Sequence, residues 1–326
     1  MSTMTTADPH PEPDADAVEL SGRTLHYGAF YGVTEIASDR PILLVHGNCQ
    51  AESIRIMLSG TDVETVRIPP VHELTEADVP HLDRLLGRAS YLVSQPVRAD
   101  YHSLSLGTQQ LVDRLSRGAR TALIPVVRFA GLYPFHAIVR PPTDPSLSPP
   151  LVAYHDLRTL AEAGRLLRGE AAGGRTEETD PTSEQVHDIA RASLRELQTR
   201  EQHHGTVRAS DLFDSPDFEA MRTLNHPGNR IFAALADRLR TALGLGAGAA
   251  VPRRPLLNSV HAPRSAAVIE AYGLNAEPRA HWLVDGRELS EDEVRVAHLD
   301  WYRAHPDAVT AGLTRHAFAL TTLGLR

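Results

Sequence analysis

The stretch PILLVHGNCQAESIRIML, residues 41–58, decides how this chain is built. Pro41 to Val45 is an uninterrupted apolar run of strand length. His46-Gly47-Asn48 reads as a turn, and from about Gln50 to Leu58 apolar residues recur at helical spacing. A run that is apolar without alternation suits a strand covered on both faces, as in a parallel sheet. Cys49, the single cysteine of the 326 residues, falls at the junction of strand and helix.

Outward from this unit the same rhythm repeats. TVRIPP (65–70) reads as a strand, ADVPHLDRLLGRA (77–89) as a helix, YLVSQP (91–96) as a strand, SLGTQQLVDRLSRG (105–118) as a helix and TALIPVV (121–127) as a strand. Short apolar runs alternating with amphipathic helices indicate an α/β fold, a mostly parallel sheet flanked by helices with a flavodoxin-like or SGNH-like character. Such sheets place their ligands beyond the carboxyl ends of the strands. The segments that end there are HGNCQ (46–50), RIPPVHE (67–73), SQPVRADYH (94–102) and VVRFAGLYPFH (126–136).

The flanks are less regular. Residues 1–16 are polar and proline-rich and are expected to form a disordered tail. VELSGRTLHYGAFYG (18–32) alternates enough for a short strand or hairpin. PPTDPSLSPP (141–150) and GEAAGGRTEETDPTS (169–183) read as loops, the first stiff and the second flexible. Asp180-Pro181 opens a helix with Val186, Ile189, Leu194 and Leu197 on its buried stripe, and Ser215-Pro216 opens another carrying Phe218, Met221 and Leu224. In NHPGNRIFAALADRLRTALG (225–244), Asn225 is expected as the N-cap, which puts His226 at a helix N-terminus. A Ser290-to-Glu293 capping box opens a helix holding Trp301 and Tyr302. The division expected is a tail at 1–16, a catalytic α/β domain at 17–245 and a helical extension at 246–326 packed on it.

A formal charge of -8 argues against general nucleic-acid binding, which needs a basic face. No apolar run approaches the ~20 residues of a membrane helix, and one cysteine allows neither an internal disulfide nor a cysteine-rich metal site. A cytoplasmic setting without an integral membrane segment follows; the oligomeric state stays open. Neither a dinucleotide fingerprint, a phosphate loop nor an HExxH pair occurs, so no metal site is expected.

Cys49, after a buried strand and before a helix, would meet the unpaired N–H groups of that helix, which favour thiolate. Gly47, Asn48 and Gln50 are positioned to offer donors to an oxyanion. The plain alternative is a packed core cysteine. His226 is the leading base, since a helix N-terminus keeps imidazole neutral. His46, His102 and His136 also lie at strand ends. Asp100 is a candidate to orient the base, and Arg98 to pair with a phosphate, beside Gln95 and Tyr101. Arg128 and Arg140 flank FAGLYPFH and supply local positive charge.

GNCQAESIRIML, SQPVRADYH, the Phe-x-Gly of FAGLYPFH and LNHPGNRIF together resemble the WcbI family of polysaccharide biosynthesis proteins, over roughly residues 40–245. The resemblance implies a coenzyme A site and acyl transfer, acetyl included, from acyl-coenzyme A to a hydroxyl of a sugar, polysaccharide precursor or specialised metabolite. Cys49 is then the reactive residue and His226 the histidine of the Asn-His-Pro segment, with Gln95, Arg98, Tyr101, Arg128 and Asn225 at the cofactor. FAGLYPFH departs from the family's histidine-proline-aspartate order, having Tyr133 and Phe135 there, and residues beyond 245 are not covered. A cysteine thioesterase or esterase, and a non-catalytic coenzyme A- or glycan-binding protein, are the competing readings. PILLVHGN resembles the oxyanion loop of α/β-hydrolases, but neither G-x-S-x-G nor G-x-C-x-G follows.

Overall fold

The computed structural model describes residues 21–36, 39–170, 180–248 and 250–326. The tail expected at 1–16 lies outside them. At the centre is a four-stranded sheet in the order β2-β1-β3-β4, every neighbouring pair parallel, formed by β1 (Ile42–His46), β2 (Glu64–Val66), β3 (Ala89–Ser94) and β4 (Arg120–Leu123). Residues 18–32, read as a strand or hairpin, form instead two short helices, α1 (Gly22–His26) and α2 (Gly28–Tyr31), over their described part. Ser21 caps α1 by accepting from the Thr24 amide, and Phe30 is fully buried. A few aromatic residues on one turn of helix mimic alternation, and a local cap decides the outcome.

The sheet is covered on both faces, which explains the continuous apolar β1. Leu43 and Val45 pack with Ile54, Met57 and Leu58 of α3 (Cys49–Leu58). Ile42 and Leu44 point the other way, onto Leu82, Leu85 and Leu86 of α4 (Val79–Leu86). The chain thus runs from β1 through α3 to β2 on one side, then through α4 to β3 on the opposite side. The order reverses between β1 and β3, and that reversal opens a crevice at their carboxyl ends. The next helix, α5 (Thr108–Val112), is shorter than its periodicity suggested.

Beyond β4 the strands are short and helices predominate. Two-residue strands β5 (His136–Ala137) and β6 (His155–Asp156) pair antiparallel, followed by α6 (Leu157–Leu167) and the long α7 (Ser183–His204), capped by the Thr182 hydroxyl. The helix expected after Ser215-Pro216 does not form. Asp217 Oδ1 accepts from the Ala220 amide at 2.7 Å, and the chain turns into β7 (Met221–Thr223), paired with β8 (His226–Pro227). Its apolar residues are buried as expected, but on a strand and turn.

Helix α8 (Asn229–Leu243) packs its buried Leu235 and Leu239 beside α3, and its N-cap is Gly228, not Asn225. A Cβ on Gly228 would stand 1.8 Å from the Glu219 carbonyl oxygen, so glycine is required where α8 begins.

The chain after residue 250 is not helical throughout. Strands β9 (Val260–His261), β10 (His281–Val284) and β11 (Arg287–Ser290) form a small antiparallel sheet, with α9 (Ala266–Tyr272) between the first two. The Ser290–Glu293 capping box starts α10 (Glu291–Ala304), as its sequence indicates, and α11 (Pro306–Arg315) and α12 (Ala317–Thr322) close the chain. These helices share a core with α6 that includes Leu160, Tyr302 and Val309. Among the described residues no helix is long and apolar enough to cross a membrane.

Candidate functional site

Cys49 is the first residue of α3, at the carboxyl end of β1 and the edge of the crevice. The turn that carries it is fixed from several directions. Asn48 caps α3, its Oδ1 accepting from the Gln50 amide at 2.9 Å, and its own amide donates to Gln95 Oε1 at 2.8 Å. Gln95 follows β3 and is buried, so it ties the ends of the two strands that bound the crevice. Gly47 is glycine because a Cβ there would meet Gln95 Oε1 at 2.4 Å.

Gln50 performs the longest reach. Its Nε2 donates to the carbonyls of Val127 and Asn225 at 2.8 and 2.9 Å, and its Oε1 accepts from the Val127 amide at 3.0 Å. One buried amide therefore holds the cysteine turn, the strand-end loop after β4 and the Asn225-His226 segment together. Its Oε1 also accepts from Gln95 Nε2 at 3.4 Å, so the amide is fully engaged and positions these segments without charge. Both Gln50 and Gln95, with Asn48, serve as braces here.

Asn225 continues the network. Its Oδ1 accepts from Tyr154 at 2.6 Å, and the Tyr154 hydroxyl in turn accepts from Thr223 Oγ1 at 2.9 Å. Burial pushes the Tyr154 pKa above the tyrosine range, the Thr223 hydroxyl pulls it back in part, and Cys49 lies near enough that its thiolate form would raise it further. His226 meets the edge of the Tyr154 ring at a centroid distance of 5.9 Å. Burial holds its pKa down to about 4, helped by Arg222, and its Nδ1 is buried without a partner among the described residues. The imidazole is thus neutral and has an unused acceptor atom. Its neutrality comes from burial within β8, and not from a helix N-terminus, since α8 begins three residues later.

The thiol itself departs from expectation. Cys49 is half-buried, and burial pushes its pKa up against the backbone N–H groups of Cys49 and Gln50, which pull it down. Desolvation of a thiolate outweighs the short helix terminus here. At neutral pH the resting group is the thiol.

The remaining candidates separate. Arg98 lies over the Tyr101 ring at 5.9 Å, and both line a cleft of about 710 Å³ together with Asn48, Gln95 and Arg128. Arg128 Nε is buried without a partner among the described residues, and burial lowers the guanidinium's pKa, as do the nearby Arg315 and Arg200. Arg140 is occupied by the Leu147 carbonyl and the Ser148 hydroxyl. Asp100 does not orient a base: it is exposed, and its Oδ1 accepts from Gln110 Nε2 at 2.7 Å. His46 turns away, its Nε2 donating to the Leu106 carbonyl at 3.0 Å. His102 is exposed and stacks on Tyr101, and His136 stacks on Trp282.

Tyr154 and Thr223 escaped the sequence reading. Both sit in irregular or two- to three-residue elements, where periodicity is silent. The polar run Tyr154-His155-Asp156 between apolar segments was the one signal available.

A doubly wound α/β protein with its sole thiol at the switch-point crevice is the class these features define. Residues 42–248 match the family described as polysaccharide biosynthesis enzyme WcbI, and the chain belongs to that family. The fold is also that of a solved structure of WcbI, a polysaccharide biosynthesis enzyme, reported as the native protein without a disulfide bond between coenzyme A and a cysteine. The two superpose with a TM-score of 0.69 at 18% identity, over 88% of this chain and 99% of that one. No curated protein sequence matches the chain.

Proposed function

We propose that this enzyme transfers an acyl group from acyl-coenzyme A to a hydroxyl of a polysaccharide precursor or related metabolite, with Cys49 as nucleophile. The observation that carries the reading is the Gln50 bridge, which ties the turn that bears the only thiol to the segment of a buried, neutral histidine, beside a cleft lined by Asn48 and Gln95. Acyl-coenzyme A would supply the activated acyl group as a thioester. The WcbI structure that shares this fold is reported in connection with coenzyme A and a cysteine, which favours that donor.

Arg98 and Arg128 suit the donor's phosphates. Both line the cleft, and the buried Nε of Arg128 has no acceptor among the described residues. Forked guanidinium bonds to phosphate would satisfy it. Cys49 Sγ bonds to the acyl carbon as the thioester bond to coenzyme A breaks, and the Cys49 proton passes by way of His226 to the departing coenzyme A sulfur. With the Asn48 and Gln50 amides committed to Gln95 and Asn48, the Cys49 amide is the N–H of this turn left to serve the developing oxyanion. His226 Nδ1 takes the proton of the acceptor hydroxyl, whose oxygen then displaces Sγ from the acyl group.

A raised thiol pKa also favours a second route, in which the acceptor attacks the donor directly and Cys49 only lines the site. Intact-protein mass spectrometry after mixing with acetyl-coenzyme A separates them. The covalent route gives an acetyl mass increase on the wild type and none on Cys49→Ser. Turnover without any adduct, undiminished in Cys49→Ser, would remove the nucleophile from this reading.

A further inference from the structure

A second cavity, of about 220 Å³, lies between the Leu132–His136 loop and the segments 263–266 and 278–280. Three arginines reach its wall, and they are not equivalent. Arg158 is paired with Asp156 and Glu291. Arg279 gives its guanidinium to the carbonyls of His281 and Ala262, at 3.2 and 2.6 Å. Arg264 lies over the Phe218 ring at 4.9 Å and, among the described residues, has no carboxylate and no hydrogen-bond acceptor.

Two more residues of the lining carry a buried polar atom without a hydrogen-bond partner among the described residues, Ser265 Oγ and His136 Nδ1. An unmatched guanidinium beside an unmatched hydroxyl is costly in a partly desolvated wall unless an anion completes them. Burial, with the charge of Arg264, already depresses the pKa of Arg279. The acidic residues of the lining are Glu291, engaged by Arg158, and Asp180.

We propose that this cavity binds the negative group of an acidic sugar, a carboxylate or a phosphate, with Arg264 as its ion-pair partner and the Ser265 hydroxyl as a second donor. Its volume is below the ~300–1,000 Å³ of sites for drug-sized ligands, so it suits one sugar unit or its charged substituent. The cavity is coupled to the thiol crevice by stacked rings. His136 stacks on Trp282 at 4.8 Å and Trp282 on Tyr154 at 5.6 Å. Taken as the anchor of the acyl acceptor, the cavity rests on the acyltransferase reading; as an anion site it does not.

Calorimetric titration of the full chain at low salt tests it, using D-glucuronate, glucose 1-phosphate and, as neutral control, glucose. At least one acid should bind tenfold or more tightly than glucose, and whichever binds identifies the charge. Arg264→Gln should weaken that acid at least tenfold, Ser265→Ala a few-fold, and Arg264→Lys, which keeps the charge, less than Arg264→Gln. Coenzyme A, titrated separately, should bind all variants as it binds wild type. Acids that bind no better than glucose, or equally well to Arg264→Gln, would overturn the anion site even with coenzyme A affinity intact. A wild type that fails to bind coenzyme A would instead sink the acyltransferase reading, and the two acids would still judge the cavity.

Discussion

At the scale of single residues, Gln50 and Cys49 give opposite lessons about a strand-to-helix turn. Gln50 was legible as a donor to an oxyanion; the structure spends its amide on Val127 and Asn225. Gln50→Leu would leave those buried backbone groups unmatched, each at about 1–3 kcal/mol. We expect a loss of about 2–4 kcal/mol in urea unfolding, together with loss of activity. A variant as stable as wild type would mean that the segments hold together without the bridge. The place of Cys49 at the junction of strand and helix was legible, but the sign of its pKa shift was not, because sequence shows the helix terminus and hides the desolvation that outweighs it. Alkylation by iodoacetamide should therefore still accelerate with pH above the ~8.5 of an ordinary cysteine. A rate that levels off below neutrality would show a resting thiolate instead.

At the scale of elements, legibility follows length and regularity. β1 to β4, α3, α4, α7 and α10 announce themselves by an apolar run or by a cap such as Thr182 or Ser290. The failures are short pieces set by tertiary contacts: α1 and α2, the turn into β7, and the small sheet β9 to β11, none of whose strands exceeds four residues. Such elements have no periodicity to read, and Thr223, one of the site's supports, lies at the end of β7. The docking of α10 on α6 is likewise invisible in sequence, since it depends on Arg295 meeting Glu162 across 133 residues. Arg295 Nε and Nη2 reach the two carboxylate oxygens at 2.9 and 2.5 Å, and Glu162 is buried. Arg295→Ala strands that carboxylate. The cost should be on the order of 2–3 kcal/mol, below the ~3–5 of a fully buried pair because the arginine is part-exposed. Thermal unfolding followed by circular dichroism would measure it, and Glu162→Gln in the Arg295→Ala background should recover part of the loss.

At the scale of the whole molecule, acid should loosen the joint between the sheet layer and the C-terminal helices. His155 is fully buried at that joint. Its Nε2 donates to the Val139 carbonyl at 3.1 Å, which leaves Nδ1 to accept from the Tyr302 hydroxyl at 2.5 Å. This arrangement requires the neutral ring, and burial, with His298 alongside, lowers its pKa to about 3. His46, also fully buried, is lowered to about 4. An unfolded chain takes up protons on both near pH ~6.5, so the folded state loses stability as pH falls below that value, at up to about 1.4 kcal/mol per pH unit for each histidine. The loss continues down to the folded pKa, whereas above pH ~6.5 these histidines contribute no pH dependence. Carboxylates held low by arginine, such as Asp62 beside Arg240, add their loss only in more acid solution. Both tryptophans, Trp282 and Trp301, lie beyond residue 250, so fluorescence reports on the C-terminal part while far-ultraviolet circular dichroism reports on all the helices. Between pH 6.5 and 4 the fluorescence change should precede the loss of helix, and the melting temperature of His155→Gln should fall less steeply with acid than that of wild type. Coincident transitions, or parallel slopes in the two proteins, would show that protonation of His155 does not govern this joint.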